Sequence, residues 1–260
     1  MVWGMSLPSG FGDFWPSGEA EYDKKTRESG WGDRLRLFYL AQAPEEQRRL
    51  LDYGENHVGY GAGGYRSYVA GKFFSEHGAD KLVADRYHFG SPEHPCSKVY
   101  IPVEPHEAPQ SYTTEKSYQA LGSFIQLSGL AMAVDEPLKE IIERLEPGVH
   151  QFFPIEIRMP RGKLYPTQYY TVVIGQYLDS FSPENSDEYA FRENGKYGYI
   201  HERNKAGVIG LAFSKSAFGN AHLWRERCFR QILFCFSDEL QAEIIGAGLR
   251  VPKHYKMMEV

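Results

Sequence analysis

The residues of this chain that could do chemistry are few, and their spacing rarely fits a known site. A glycine run, Gly59-Tyr-Gly-Ala-Gly-Gly64, formally fits the G-x-G-x-x-G pattern of dinucleotide-binding loops, with Asp85 downstream as a candidate ribose ligand. Such a site needs a buried strand directly before the glycines, and residues 51–58 are too polar to form one. We therefore interpret Gly59–Gly64 as a flexible loop and keep a small-molecule or nucleotide-binding enzyme as the alternative function.

Histidine and cysteine cluster once, at His88, His94, Cys96 and His106. Their spacings match no standard zinc pattern, and prolines separate them, so we expect no metal site. Cys228 follows His222 closely but stands in an apolar run, which favours a buried thiol over a nucleophile. The sequence contains no G-x-S-x-G elbow and no H-E-x-x-H pair. We therefore expect neither enzymatic turnover nor a cofactor.

One polar segment, Ser182–Gly195, is acidic at its start and lies between two predicted strands. Its simplest interpretation is a solvated loop. The functional interpretation is an acidic lobe that contacts a basic protein, because complementary charge steers association. The candidate partner-binding residues are Glu184, Asp187, Glu188 and Tyr189.

Composition narrows the function classes. The net charge is −5 and the longest basic block is the pair Arg48–Arg49, which disfavours nucleic-acid binding. The 3 cysteines show no CxxC spacing, so free thiols in a reducing cytoplasm are expected. The first residues lack the pattern of a signal peptide, and no apolar run is long enough to span a membrane. We predict a cytoplasmic protein that does not bind membranes.

The periodicity predicts an α+β fold, with a mixed or antiparallel sheet and a few packed helices. Asp135 is a candidate N-cap for a helix with Pro137 in its first turn and Leu138, Ile141 and Ile142 on one face. Ser237 is a candidate cap for the last helix, which should end near Gly246. Two further helices are predicted, at Pro44–Gly54 and Thr114–Leu130.

The remaining segments predict strands and an irregular start. Residues 1–32 are expected to form an irregular arm. Pro154 should place its strand at an edge or a bulge. The predicted strands are Leu35–Leu40, Lys98–Val103, Gln151–Met159, Tyr169–Gln176, Tyr197–Ile200 and Val208–Phe213. We find no internal repeat in the sequence. The proline-rich stretch 102–109 is the best candidate boundary, which divides the chain into residues 1–110 and 111–260.

Four ordered blocks carry a family resemblance: Asp135–Ile157, Tyr169–Asp179, His222–Arg225 and Phe236–Leu249. Together they resemble a family of bacterial immunity proteins that are encoded beside secreted polymorphic toxins and were first catalogued as a domain of unknown function. The resemblance covers roughly residues 112–260, and residues 1–110 are expected to be a lineage-specific extension. It implies a non-catalytic cytoplasmic protein whose partner is a cognate toxin domain, expected to be basic. The toxin's chemistry and the oligomeric state are left open.

Overall fold

A computed structural model of the chain describes residues 1–23, 28–31, 34, 103–127, 131–193, 198–200, 205–226, 229 and 233–260. The predicted helix Pro44–Gly54 and the predicted strand Leu35–Leu40 lie outside these residues, as does nearly all of the predicted strand Lys98–Val103. Within the described ranges, two curled six-stranded sheets and four helices form an α+β fold. The predicted fold class, α+β with few helices, is therefore correct.

Strands and helices are numbered here in chain order. Sheet I runs, in spatial order, through β2 (Gly18–Ala20), β5 (Ser111–Thr114), β8 (Gln151–Arg158), β9 (Tyr169–Val173), β7 (Met132–Asp135) and β6 (Phe124–Gln126). Sheet II runs through β10 (Tyr177–Leu178), β14 (Leu223–Glu226), β15 (Leu233–Ser237), β1 (Val2–Ser6), β16 (His254–Glu259) and β13 (Ala212–Phe213). Both sheets are mixed, because β5–β8, β10–β14 and β13–β16 are parallel pairs and the other pairs are antiparallel.

Two small hairpins, four α-helices and two 3₁₀ turns, Pro160–Gly162 and Pro183–Asn185, complete the described elements. The hairpins are β3 (Tyr22–Asp23) with β4 (Glu28–Ser29), and β11 (Phe191–Glu193) with β12 (Gly198–Ile200). The helices are α1 (Glu136–Leu145), α2 (Lys205–Ile209), α3 (Lys215–Phe218) and α4 (Asp238–Gly246). Helices α1 and α4 pack against each other, and the Arg144 guanidinium lies 3.0 Å from the Glu243 carboxylate.

The two predicted caps are confirmed. Asp135 accepts a hydrogen bond from the Leu138 N–H at 3.1 Å, and Ser237 accepts one from the Leu240 N–H at 3.1 Å. Each side chain satisfies a donor that the first turn of a helix leaves free. Leu138 and Leu240 face one central core together with residues of both sheets, among them Met5, Phe124 and Phe236. The caps therefore fix where each helix begins and which face it buries.

The predicted strand around Pro154 is also confirmed, as β8. Pro154 pairs with Tyr170 of β9 on one side. On the other side, β5 begins pairing only at Glu156, whose N–H donates to the Gln110 carbonyl. Proline has no N–H, so it is tolerated where the ladder has no partner. The strand is interior to sheet I, but this position on it is locally an edge.

Three predictions of local structure are wrong. In its described part, the predicted helix Thr114–Leu130 is instead the last residue of β5, an irregular segment at 115–123 and β6. Gly122 packs so closely on the Phe14 ring that an added Cβ would lie 2.3 Å from it. The predicted irregular arm contains β1, which pairs with β15 and β16 on its two sides. The strand predicted at Val208–Phe213 is a helix end followed by a two-residue strand. In the first two cases pairing with distant residues overrides a local pattern.

Strands on both sides of the predicted boundary share sheets. Strand β1 lies in sheet II and β2 in sheet I, where they pair with strands from residues 111–260. The division into residues 1–110 and 111–260 itself stays a prediction.

Candidate functional site

The predicted partner-binding residues lie together in one ordered loop, Ser182–Ala190, called the acidic loop below. A 3₁₀ turn, Pro183–Asn185, opens it. Ser186 holds the loop from both sides: its Oγ donates to the Ser182 carbonyl at 2.8 Å and accepts from the Ala212 N–H at 2.8 Å. These bonds anchor the loop to β13, so it is preorganised rather than merely solvated.

The acidic loop turns charge and one aromatic ring outward. Glu184, Asp187, Glu188 and Tyr189 are all exposed, and Tyr189 has 81% of its surface accessible. The Ser182 hydroxyl donates to Glu184, and this hydrogen bond lowers the pKa of the Glu184 carboxyl. The loop therefore presents carboxylates beside a large exposed side chain of a type enriched in protein interfaces.

Close packing against the end of α2 fixes the base of the acidic loop. The Asp187 N–H donates to the Gly210 carbonyl at 2.8 Å. A Cβ added at Gly210 would lie 2.7 Å from an Asp187 carboxylate oxygen and 2.8 Å from the Ala190 Cβ, so a side chain there would force the loop away. Ile209, the residue before this glycine, is 41% exposed.

A separate cleft of about 290 Å³ lies where β2, β5 and the turn after β8 meet. Its polar lining includes Glu19, Thr113, Glu115 and Arg161. Arg161 has a left-handed backbone with a φ of 65°, which is uncommon for a residue with a side chain. Among its described lining residues there is no thiol, no imidazole and no hydroxyl paired with a base, so these residues can hold a ligand by charge but offer no nucleophile.

A buried polar network joins α1 to both sheets, and no pattern in the sequence predicts it. Glu146 follows α1 and accepts hydrogen bonds from the His150 Nε2, the His222 N–H, the Leu223 N–H and the Gln176 side chain. His150 Nδ1 accepts from the Gly175 N–H at 3.0 Å, so the imidazole proton belongs on Nε2, facing Glu146. Glu146 and His150 are buried and hydrogen-bonded, and Gln176 and His222 are partly buried, which indicates a structural role.

A second buried network centres on Glu226 at the end of β14. Its carboxylate accepts from the Ser180 hydroxyl at 2.6 Å and from the Ser180 N–H at 3.0 Å, while the Trp224 Nε1 donates to the Ser180 Oγ at 3.2 Å. Ser180 is fully buried, so no substrate can reach this hydroxyl. Burial raises the pKa of Glu226 to about 7, although the hydrogen bonds from Ser180 oppose that shift.

Replacing Glu226 with glutamine is expected to remove one pH dependence of stability. The folded-state pKa, about 7, lies above the ordinary value of 4.5, so the folded protein binds a proton that the unfolded chain releases. Wild-type stability should therefore fall by up to about 3 kcal/mol as the pH rises from 4.5 through 7. Urea unfolding at several pH values measures this slope. A Glu226→Gln variant with the same slope would show that Glu226 does not titrate in this range.

The remaining sequence candidates are not assembled into a site within the described residues. Gly59–Gly64, His88, His94, Cys96 and Cys228 lie outside them. Cys235 is buried, and burial raises the pKa of its thiol well above the ordinary value. Among the residues that the structure describes, no three His, Cys, Asp or Glu side chains are placed to hold a metal ion. The nucleotide-binding alternative therefore stays a hypothesis.

Comparison with known proteins gives one family. The family model described as "Immunity protein family (Imm11)" matches residues 65–258, a range that includes α1, α4, the acidic loop and both buried networks. No curated protein matches the chain. None of the helices in the described ranges has the length and apolar character needed to cross a membrane.

Proposed function

This chain belongs to the Imm11 immunity protein family, and from that premise we propose that it binds a cognate bacterial toxin and neutralises it by protein–protein contact. The resemblance drawn from the sequence is confirmed, and the match begins at residue 65, well before residue 112. We propose further that the protein acts in the cytoplasm, without turnover and without a cofactor.

The observation that carries the proposed binding site is the acidic loop. Its backbone is held by hydrogen bonds, while Glu184, Asp187, Glu188 and Tyr189 are left exposed. A preordered loop loses little entropy when it binds, and an exposed tyrosine can enter a pocket of the partner. The carboxylates favour a basic toxin domain, because opposite potentials accelerate encounter.

Co-expression tests the proposed function. The C-terminal domain encoded by the neighbouring effector gene should arrest growth when produced alone, and this chain should relieve the arrest. Purified complex should then elute as one species in gel filtration. Persistent growth arrest, with both proteins present at comparable levels, would reject the proposal for that toxin.

Charge reversal tests the acidic loop as the contact surface. An Asp187→Lys/Glu188→Lys variant should associate with the toxin about tenfold more slowly at low salt, since it loses attractive potential at the encounter. The difference should shrink at high ionic strength, where exposed charges are screened. Stopped-flow mixing measures both rates. The matched control is Glu140→Lys/Glu143→Lys on the exposed face of α1, which changes the net charge equally and should alter the rate less.

Removing the exposed ring tests affinity rather than rate. Tyr189→Ala should weaken binding by at least about tenfold, or 1.4 kcal/mol, chiefly through faster dissociation. The melting temperature should be unchanged, because Tyr189 is 81% exposed and is not part of the hydrophobic core. The matched control is Leu164→Ala, another exposed apolar residue at 54%. Equal and small effects of both substitutions on calorimetric affinity would place the interface elsewhere.

A further inference from the structure

The same run of elements occurs twice along the chain. The first run is β5–β6–β7–α1–β8, and the second is β13–β14–β15–α4–β16, with the short helix α3 inserted between β13 and β14. Within each run the first and last strands are parallel partners, and the second and third form an antiparallel pair. Each helix follows its strand directly, and the last residue of that strand caps it. The two runs therefore share connectivity, strand direction and capping.

The strand register is also the same in both runs. In sheet I, Tyr169 lies opposite Asp135 on one side and Ile155 on the other. In sheet II, Val2 lies opposite Ser237 and Met257. Asp135 and Ser237 are 102 positions apart, and so are Ile155 and Met257. Because a slip of one residue would turn every side chain to the opposite face, an identical register is a specific likeness.

Backbone hydrogen bonds around the sheets repeat in matching places. The N–H of each N-cap residue donates to the carbonyl of the residue before the second strand of its run: Asp135 to Ser123 (3.0 Å) and Ser237 to His222 (3.0 Å). The N–H of the first helical residue donates to the carbonyl of the residue before the central strand, which is β9 in sheet I and β1 in sheet II: Glu136 to Gln168 (3.2 Å) and Asp238 to Met1 (3.1 Å). An N–H of the last strand donates to the carbonyl of the residue before its parallel partner: Glu156 to Gln110 (3.0 Å) and Met258 to Leu211 (2.9 Å).

The central strands are exchanged between the two halves. The turn 159–168 links the halves, so β9 is the first strand of the second half and β1 is the first strand of the first half. Strand β9 nevertheless lies between β7 and β8 in sheet I, and β1 lies between β15 and β16 in sheet II. After this strand each half returns to its own sheet, at edges that are not equivalent: β2 pairs antiparallel with β5, the first strand of its run, and β10 pairs parallel with β14, the second strand of its run.

We infer that the chain is a tandem duplication of one structural unit, and that each half binds the other by inserting its first strand between two strands of the other's sheet. The surface that accepts β1 is the pair of facing edges of β15 and β16, lined by Phe234, Phe236 and Met257. Without β1, the backbone groups along both edges would lose their partners in a buried position. The same holds for β7 and β8 without β9. Neither half completes a sheet alone.

The similarity of the two halves is not visible in the sequence, because equivalent buried positions keep only their apolar character and not the same residue. Equivalent buried positions include Val134 with Phe236, Ile155 with Met257, and Val172 with Met5. These pairs exchange one apolar residue for another of different shape, which a core can accept when neighbouring volumes adjust.

Cross-linking of a cleavable full-length chain tests the exchange. A protease recognition sequence is inserted after Gly162, in the exposed part of the linking turn. Two cysteine pairs, Ser6→Cys/Leu233→Cys and Ala133→Cys/Thr171→Cys, each join strands that are register partners but belong to different halves. After oxidation and cleavage, each variant should migrate on a denaturing gel as one species that separates into two when reduced.

The control pair lies within one half. Ile125→Cys/Ala133→Cys joins β6 to β7, so its disulfide should form but leave the cleaved halves separable. The cleaved parent, with native cysteines only, should also separate. The placement of the exchanged strands is overturned if the control pair oxidises while the two cross-half pairs do not, in variants that melt near the parent temperature.

Refolding of the cleaved parent tests mutual dependence. Residues 1–162 and 163–260 are separated in urea and refolded alone or mixed. The mixture should recover the native circular dichroism spectrum, a single melting transition and a 1:1 complex, and neither fragment alone should melt cooperatively. A fragment that refolds cooperatively by itself would overturn the inference that each half needs the other's strand.

Discussion

Replacing Glu146 with alanine is expected to lower the free energy of unfolding by about 3–5 kcal/mol. The carboxylate accepts from His150, His222, Leu223 and Gln176, and it is only 6% exposed. Alanine leaves these donors buried without their acceptor, and each orphaned donor costs about 1–3 kcal/mol unless water replaces the lost oxygen. Urea unfolding at neutral pH measures the loss. A loss below about 1 kcal/mol would show that the network does not hold α1 to the sheets.

The matched control on the same helix is Glu143→Ala. Glu143 is exposed and pairs with Lys139 one turn away, so its removal should lower the free energy of unfolding by less than about 0.5 kcal/mol.

The Glu146→Gln variant tests how stability depends on pH in the acidic range. Burial opposes ionisation of Glu146, but hydrogen bonds from His150 and the His222 N–H outweigh it and hold its pKa below 4.5. Its stabilising contribution is therefore present above pH 4.5 and lost as the pH falls through the lower folded-state pKa; the glutamine variant should lack this loss.

Replacing the buried leucine of either capped helix, Leu138 or Leu240, with alanine is expected to lower the free energy of unfolding by about 2–5 kcal/mol. Leu138 and Leu240 stand at the same position of α1 and α4 and are 1% and 2% exposed. Both contact the core that joins the two sheets, so alanine at either position opens a cavity that neighbours can fill only in part. Duplicated halves predict similar losses for Leu138→Ala and Leu240→Ala.

The comparison needs an exposed apolar residue as its control. Ile245 lies on α4 but is 66% exposed, so Ile245→Ala should change stability by no more than about 0.5 kcal/mol. Equilibrium unfolding followed by tryptophan fluorescence and circular dichroism gives all three values. If the two leucine variants differed by several kcal/mol, the halves would not contribute comparably to the shared core.

The segment Asp135–Ile157, which carries part of the resemblance in the sequence, is separate from the residues proposed to bind the toxin. The segment Asp135–Ile157 forms α1, the Glu146 network and β8, and its apolar side chains are core. The acidic loop lies at the surface of the second half, between β10 and β11. Substitutions in the segment should therefore change stability, whereas substitutions in the loop should change binding.

The sequence by itself determined the features that depend on neighbouring residues. The caps Asp135 and Ser237 are predicted correctly, because a helix cap acts within a few positions of the residue concerned. The strand of Pro154 is interior to sheet I, so the predicted edge position is wrong for the strand as a whole. The four candidate residues of the acidic loop are close in the sequence, and their role in binding a toxin stays a prediction.

Only the tertiary structure decided the features that depend on distant partners. Val2 lies opposite Ser237, and the Glu146 carboxylate accepts hydrogen bonds from the His222 and Leu223 N–H groups. These partners are far apart in the sequence, so no local pattern predicts either contact. The short segment Val2–Ser6 is a central strand because β15 and β16 supply hydrogen bonds and apolar contacts on both sides. The duplication was hidden likewise, because strand order and register are kept by backbone pairing, which many different apolar side chains allow.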